Sequence, residues 1–369
     1  MSDFSYEIGS DNIAIIKWDV PNKKFNVLTI EGIDEIEKIL DELFENNGLK
    51  GVIITSNKDN FSAGMDLNVL AHLQDQSKNK EEIFQFVMRA HKFLRKIELG
   101  GTDTNIKKKA IPFVWACNGL SAGIATEIGL ACHHRIAADI KNTKIGLPEI
   151  LVGLFPGAGG ATRVSRMLGL MASAPILMEG RMFSAKKAKT IGLINEVSSP
   201  LDLIEDAKKW ILNATKEDIT KPWDKKGFKM PGGAPYHPNG FMTFVGASAM
   251  ISSKTKNLYP AAKYLLSAIY EGALTNFDNA LRIEARWFTK ILSEKSTKNC
   301  FIFILAVDRM YKFYSNNNIK DYTKSIIHII LSINGTKSKF LLSLSISTYI
   351  RMLAVMHLLV CGLGKVYAY

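Results

Sequence analysis

Cysteine is scarce in this 369-residue chain: Cys117, Cys132, Cys300 and Cys361 are scattered with no short repeating spacing. That pattern excludes a disulfide framework and a cysteine zinc site, and it suits a reducing compartment. The first residues, Met1-Ser-Asp-Phe-Ser-Tyr-Glu7, have neither the basic segment nor the apolar stretch of an export signal, so a cytoplasmic setting is expected. An uninterrupted apolar run of about 20 residues is also missing. The most apolar stretch, 340–364, is broken by Arg351 and His357, which argues against a membrane anchor. A dinucleotide-binding turn is absent too. Gly157-Ala-Gly-Gly-Ala-Thr162 lacks the last glycine of G-x-G-x-x-G and follows Pro156 rather than a strand, and Gly362-Leu-Gly364 is too near the terminus to open a helix.

What remains is the composition of a globular chain, 47% apolar and 22% charged, long enough for two domains or for one domain with an extension. The net charge of +12 is unevenly spread. Residues 301–369 carry eight Lys/Arg against two acids, leaving 39 basic and 33 acidic side chains in the first 300 residues. The larger part is only mildly basic, which suits a polyanionic small molecule at least as well as nucleic acid. No nucleic-acid partner is expected.

Over the first 215 residues strand and helix signals alternate. Ile13–Trp18, Gly51–Thr55 and Phe113–Cys117 are short apolar runs bounded by polar or turn residues. Between them, Ile30, Ile33, Ile36, Leu40, Leu43 and Phe44 recur at helical spacing behind a Thr29 cap, and Ile83 through Ile97 do the same. This is the pattern of parallel βαβ units, whose ligands gather at loops leaving the carboxyl ends of strands. The stretch 221–239 is rich in Pro and Gly and reads as a solvated connector, with helices resuming near Tyr259 and Asn279. The adjacent His133 and His134 point apart on a helix, so they read as surface residues at a helix end rather than a metal pair.

Three stretches of small residues follow strand or turn positions: Phe61-Ser-Ala-Gly-Met-Asp-Leu67, Asn118-Gly-Leu-Ser-Ala-Gly-Ile-Ala-Thr-Glu127, and Pro148-Glu-Ile-Leu-Val-Gly-Leu-Phe-Pro-Gly-Ala-Gly-Gly160. In order and spacing they resemble the crotonase, or enoyl-CoA hydratase/isomerase, superfamily, and Ala185–Asn195 is similar to its segment beyond the core repeats. Lys221–Lys229 and Ala280–Phe288 are similar to the linker of bacterial multifunctional fatty-acid-oxidation enzymes, in which a hydratase precedes a 3-hydroxyacyl-CoA dehydrogenase. The resemblance covers residues 1–299. It implies an α/β spiral of repeated ββα units over 1–215, a linker and helical extension over 216–299, and an atypical tail over 300–369.

Glu127 shares its helix face with Ile124, Ile128 and Ala131, and Glu149 lies between Pro148 and Ile150. Carboxyls on apolar stripes are costly without a purpose, and two of them with different proton affinities supply one base and one acid near neutral pH. The resemblance implies Glu127 as the base that activates water and Glu149 as the acid that protonates the α-carbon. It implies the backbone N–H groups of Met65 and Ile124 as the oxyanion hole, and Ala63, Gly64, Asp66, Gly123, Pro156 and Gly157 as substrate-binding positions. The implied activity is hydration of trans-2-enoyl-CoA in fatty-acid β-oxidation. Alternatives are Δ3–Δ2-enoyl-CoA isomerisation at the same site, or a non-catalytic place in a β-oxidation assembly. The substrate is an acyl-CoA thioester, with no bound cofactor and with NAD only if a dehydrogenase half were restored. An oligomer and a thiolase or other β-oxidation partner are further implications. One departure stands out: where relatives often have Gly-Gly-Gly, this chain has Gly123-Ile-Ala125, which narrows the thioester's approach without removing an N–H donor.

Beyond residue 299 the sequence has no Glu, Gln, Pro or Trp and no coherent amphipathic period. Such a break is what translation in a shifted frame would give, so 300–369 is expected to be out of frame, or a truncated replacement, and to form no second folded domain.

Overall fold

The fold was analysed in a computed structural model, which describes residues 2–74, 79–102, 110–256 and 259–298. The tail beyond 298, on which the frame-shift expectation falls, lies outside the described residues.

The chain opens with β1 (Phe4–Ile8) and β2 (Ile13–Trp18), followed by α1 (Ile30–Glu45), β3 (Gly51–Ser56), α2 (Leu67–Leu73) and α3 (Lys80–Leu99). Next come β4 (Phe113–Cys117), β5 (Ser121–Ala122), α4 (Ile124–Ala131), β6 (His134–Ala138) and β7 (Ile145–Gly146), then a 3-10 turn over Pro148–Val152. Helices α5 (Gly160–Leu168), α6 (Leu170–Leu177) and α7 (Ala185–Thr190) lead to β8 (Glu196–Ser198) and α8 (Leu203–Asn213). A second 3-10 turn, Pro222–Asp224, precedes α9 (Pro238–Thr255), α10 (Pro260–Ala273) and α11 (Phe277–Leu292).

The main sheet runs β1-β2-β3-β4-β6-β8, antiparallel only at β1–β2. Parallel strands covered on both faces are buried along their whole length, as every residue of β3, β4 and β6 is, with apolar side chains predominating. One face carries Ile13, Ile53, Val114, Ala116 and Ile136, sealed by Leu203, Ala207 and Ile211 of α8. Trp18, Phe61 and Trp115 meet edge to face in a second part of the core. α1 begins where its sequence says it should, with the Thr29 hydroxyl accepting the Gly32 N–H at 2.8 Å.

A second layer runs beside the main sheet. β5 pairs with β7, Ser62 bridges to Ser121, and Ile145 bridges to Phe183. Each turn of the chain thus adds one strand to the main sheet, one short strand or bridge to the second layer, and then a helix. This is the expected ββα spiral. The second layer brings the loops after β3, β4 and β6 side by side.

Two expectations need correction. The connector 221–239 is not simply solvated. Lys221 and Trp223 are buried, and helix resumes at Pro238, well before Tyr259. The Lys221 ammonium donates to the carbonyls of Leu130 (2.8 Å) and Cys132 (2.5 Å), closing the C-terminal end of α4. His133 and His134 are not helix-end surface residues, because α4 stops at Ala131 and the chain turns at once into β6. His133 is buried, with Nδ1 accepting the Phe113 N–H, and His134 stacks on Trp210 beside Glu196.

Candidate active site

Glu127 lies in the first turn of α4, a helix whose residues are all buried. Its N-cap, Gly123, has φ +58°, and a Cβ there would stand 2.9 Å from Glu149 Oε1. Glycine is therefore required twice, by backbone conformation and by the neighbouring carboxyl. Glu127 Oε1 accepts two backbone N–H groups, from Ala158 at 2.8 Å and Gly160 at 2.7 Å. Burial raises the proton affinity of Glu127 and these donors restrain it, leaving a pKa of about 7. Glu149 sits on the 3-10 turn after β7. Its Oε2 is shielded and has no hydrogen-bond partner, although the residue keeps a partial opening to solvent. Burial first, and the charge of Glu127 second, push its pKa well above the usual carboxyl range. The two carboxyls are therefore set apart, with the amide-anchored Glu127 the readier of the two to ionise.

Both N–H groups of Glu127's anchor go to one oxygen. In Glu127→Gln the amide oxygen can take that place and leave the NH2 where Oε2 was, so the fold is preserved. A carboxyl with a raised folded-state pKa lowers stability as pH climbs from its unfolded value, near 4.5, through about 7. Glu127→Gln is accordingly expected to stabilise the protein by about 1–3 kcal/mol at pH 8 and by almost nothing near pH 4.5, in thermal unfolding at both pH values. An equal effect at both would show that Glu127 carries no such burden.

The loop after β3 reaches the same place. Ser62 joins it to the loop after β4: its N–H donates to Leu120, its carbonyl accepts from Ala122, and its hydroxyl accepts the Gly64 N–H. Gly64 has φ +105°, and a Cβ would meet the Ala122 carbonyl at 3.0 Å. Held this closely, the loops present Met65 and Ile124, whose N–H groups have no acceptor among the described residues. Ile124 is the first residue of α4, where the helix dipole favours negative charge.

The other expected substrate positions have local explanations. Ala63 donates its N–H to the Asn26 carbonyl. Asp66 caps α2 through the Asn68 N–H and pairs with Lys23 at 2.6 Å. Burial opposes the ionised form of Asp66, but those two partners prevail and hold its pKa below the usual value. A Cβ on Gly157 would run into the Phe288 ring at 2.6 Å, and Pro156 packs against Gly160.

Three charged residues of this neighbourhood escape a reading of the sequence. Arg163 and Glu98, both fully buried, form a two-pronged ion pair with two contacts of 2.9 Å, and Arg163 also donates to the Ala158 carbonyl at 3.0 Å. This locks the strand of backbone that anchors Glu127. Glu284, from α11, accepts from the Gly159 N–H at 2.6 Å and from the Thr162 N–H and hydroxyl at 2.7 Å each. Burial, reinforced by the charge of Glu127, raises its pKa.

Residues 9–221 match the family described as enoyl-CoA hydratase/isomerase. The fatty acid oxidation complex subunit alpha of Vibrio parahaemolyticus is 30% identical over 316 residues, covering 84% of this chain and 42% of that protein. That of Shewanella loihica is 29% identical over 303 residues, covering 82% and 41%. The chain thus spans less than half the length of these curated relatives. Among solved structures, human mitochondrial delta3-delta2-enoyl-CoA isomerase superposes with a TM-score of 0.56 at 18% identity, covering 84% of this chain and all of that one. An enoyl-CoA hydratase from Bacillus halodurans gives 0.55 at 18% identity, covering 81% and 99%. These likenesses establish the fold. With the family match covering more than half its length, the chain belongs to the enoyl-CoA hydratase/isomerase, or crotonase, family.

Proposed function

We propose that the protein hydrates trans-2-enoyl-CoA to 3-hydroxyacyl-CoA. The observation that carries this reading is the unequal setting of the two carboxyls: Glu127 Oε1 accepts two backbone N–H groups, whereas Glu149 Oε2 has no hydrogen-bond partner. Hydration needs a base and an acid at once, and this setting favours the ionised form at Glu127, with a pKa of about 7, over Glu149, whose pKa is pushed well above the usual carboxyl range by burial and by the charge of Glu127. An isomerase, the nearest alternative, can move one proton with a single carboxylate and has no need of that split.

Glu127 takes a proton from water as its oxygen bonds to the β-carbon, and the electron pair of the C=C bond moves toward the thioester oxygen. The Met65 and Ile124 N–H groups stabilise that developing oxyanion. Glu149 then delivers its proton to the α-carbon. The cycle closes when Glu127 loses its proton to solvent and Glu149 regains one.

The similarity to fatty acid oxidation complex subunits supports a place in β-oxidation as part of a multisubunit assembly. Turnover of the purified chain on 2-enoyl-CoA and 3-enoyl-CoA tests the reading directly. Loss of the 2-enoyl absorbance supports hydration. Conversion of only the 3-enoyl ester supports isomerisation, and no turnover of either leaves a non-catalytic role.

The pH profile provides a separate check. Because the base acts deprotonated, kcat/KM is expected to fall about tenfold per pH unit below a limb near pH 7. An acid limb near 4.5 would remove Glu127 from the role of base.

A further inference from the structure

The first turn of α5 has an unusual cap. Its N-cap residue is Gly159, at φ +96°, and a Cβ there would stand 1.9 Å from an Arg163 guanidinium nitrogen. Position 159 must therefore be glycine, and a glycine has no side chain with which to close the helix's free N–H groups. Two carboxyls from other parts of the chain do so instead, and they interleave. Ala158 and Gly160 donate to Glu127, while Gly159 and Thr162 donate to Glu284. Every polar group touching Glu284 is a donor to it, and the residue is fully buried.

Four amides on five consecutive residues are thus shared between the base of the reaction and a residue of the C-terminal extension. Removing Glu284 leaves the Gly159 and Thr162 N–H groups buried without acceptors, a cost that a small rotation of the turn relieves. That rotation carries the Ala158 and Gly160 amides away from Glu127. Crotonase-core residues 1–215 contain no acceptor that takes these two N–H groups among the described residues.

We propose that Glu284 is a positioning residue for the reaction: from α11 it fixes the 158–162 turn whose amides aim and hold Glu127. The inference deepens the hydratase reading and rests on it for its kinetic arm only. Glu284 does not touch the reacting atoms. It acts through backbone, and this makes the helical extension a working part of the site.

The test uses the full chain with Glu284→Gln, which keeps volume but sets an NH2 against N–H donors, and Glu284→Asp, which keeps a carboxyl and brings no NH2. Expected for Gln is a loss of about 10-fold or more in kcat with KM within twofold, because substrate contacts are untouched. Asp should retain more activity than Gln. Hydrogen exchange over 158–162 should accelerate about 10-fold or more in the Gln variant, while β3 and β4 exchange as in the parent. Should the Gln variant fail to fold, Thr162→Val, which deletes only the hydroxyl contact, should show the same kcat loss to a smaller, few-fold extent. Unchanged kcat and unchanged exchange at 158–162 would overturn the proposal. So would Gln retaining as much activity as the parent while Asp fails, since volume alone would then matter. If the parent turns over neither enoyl ester, the hydratase reading fails; exchange at 158–162 in Glu284→Gln then decides the positioning claim by itself.

Discussion

Glu127→Gln and Glu149→Gln are each expected to slow hydration by about 100-fold or more while leaving CoA-ester binding nearly intact. The two substitutions act at opposite ends of one addition. Without the Glu127 carboxylate nothing takes the proton from water, and without the Glu149 proton the enolate has no partner. Because both Glu127 anchors converge on a single oxygen, the Gln variant keeps its hydrogen bonds and its loss is chemical rather than structural. Glu149 has an unpartnered Oε2, so an amide NH2 placed there displaces no hydrogen bond. Steady-state turnover on 2-enoyl-CoA, with ester binding by calorimetry, measures both parts. Near-parent turnover in either variant would remove this mechanism.

Replacing Ile124 separates its backbone from its side chain. Ile124→Pro deletes one of the two oxyanion donors and is expected to cost about 10²–10³ in kcat. Position 124 is the first residue of α4, where proline's fixed φ suits the helix and its missing N–H disturbs no helical bond, so the fold should tolerate the change. Ile124→Gly keeps the donor and opens the approach, so it should match or exceed the parent. Circular dichroism confirms folding and turnover gives the comparison. Equal rates for the Gly and Pro variants would place the thioester oxygen elsewhere.

The parts of this molecule that could be read in advance are those where the chemistry is local. Strands inside a covered sheet are mainly apolar, so Ile13–Trp18 and Phe113–Cys117 announced themselves, and the Thr29 cap marked its own helix. Glu127 was legible because an acid on an apolar face is costly. Glu284 was not, although the helix around it was. Its helix carries another acid, Asp278, and the partners that give Glu284 its role are amides that follow no pattern of spacing. Lys221 and Trp223 looked like loop residues because Pro and Gly surround them; the end of α4, closed by that ammonium, explains the burial of Lys221, and the Phe277 ring of α11, stacked on the indole, explains that of Trp223. The His133–His134 pair misled through a boundary: the turn from α4 into β6 takes two residues, too sharp to be inferred from periodicity.

The long reach of these contacts bears on how the protein is made. Gly159 waits 125 residues for the carboxylate that accepts its N–H, and the Leu130 carbonyl waits 91 for its ammonium. During synthesis the first 215 residues emerge with these groups still open, and closing such long loops is entropically slow. The strands can pair early, since β2, β3 and β4 follow one another in both sequence and sheet. On the proposed mechanism, acid–base competence is expected last, when α11 docks against α3 and α5. A ribosome-bound chain stalled before residue 284 should therefore be a folded sheet without a working base.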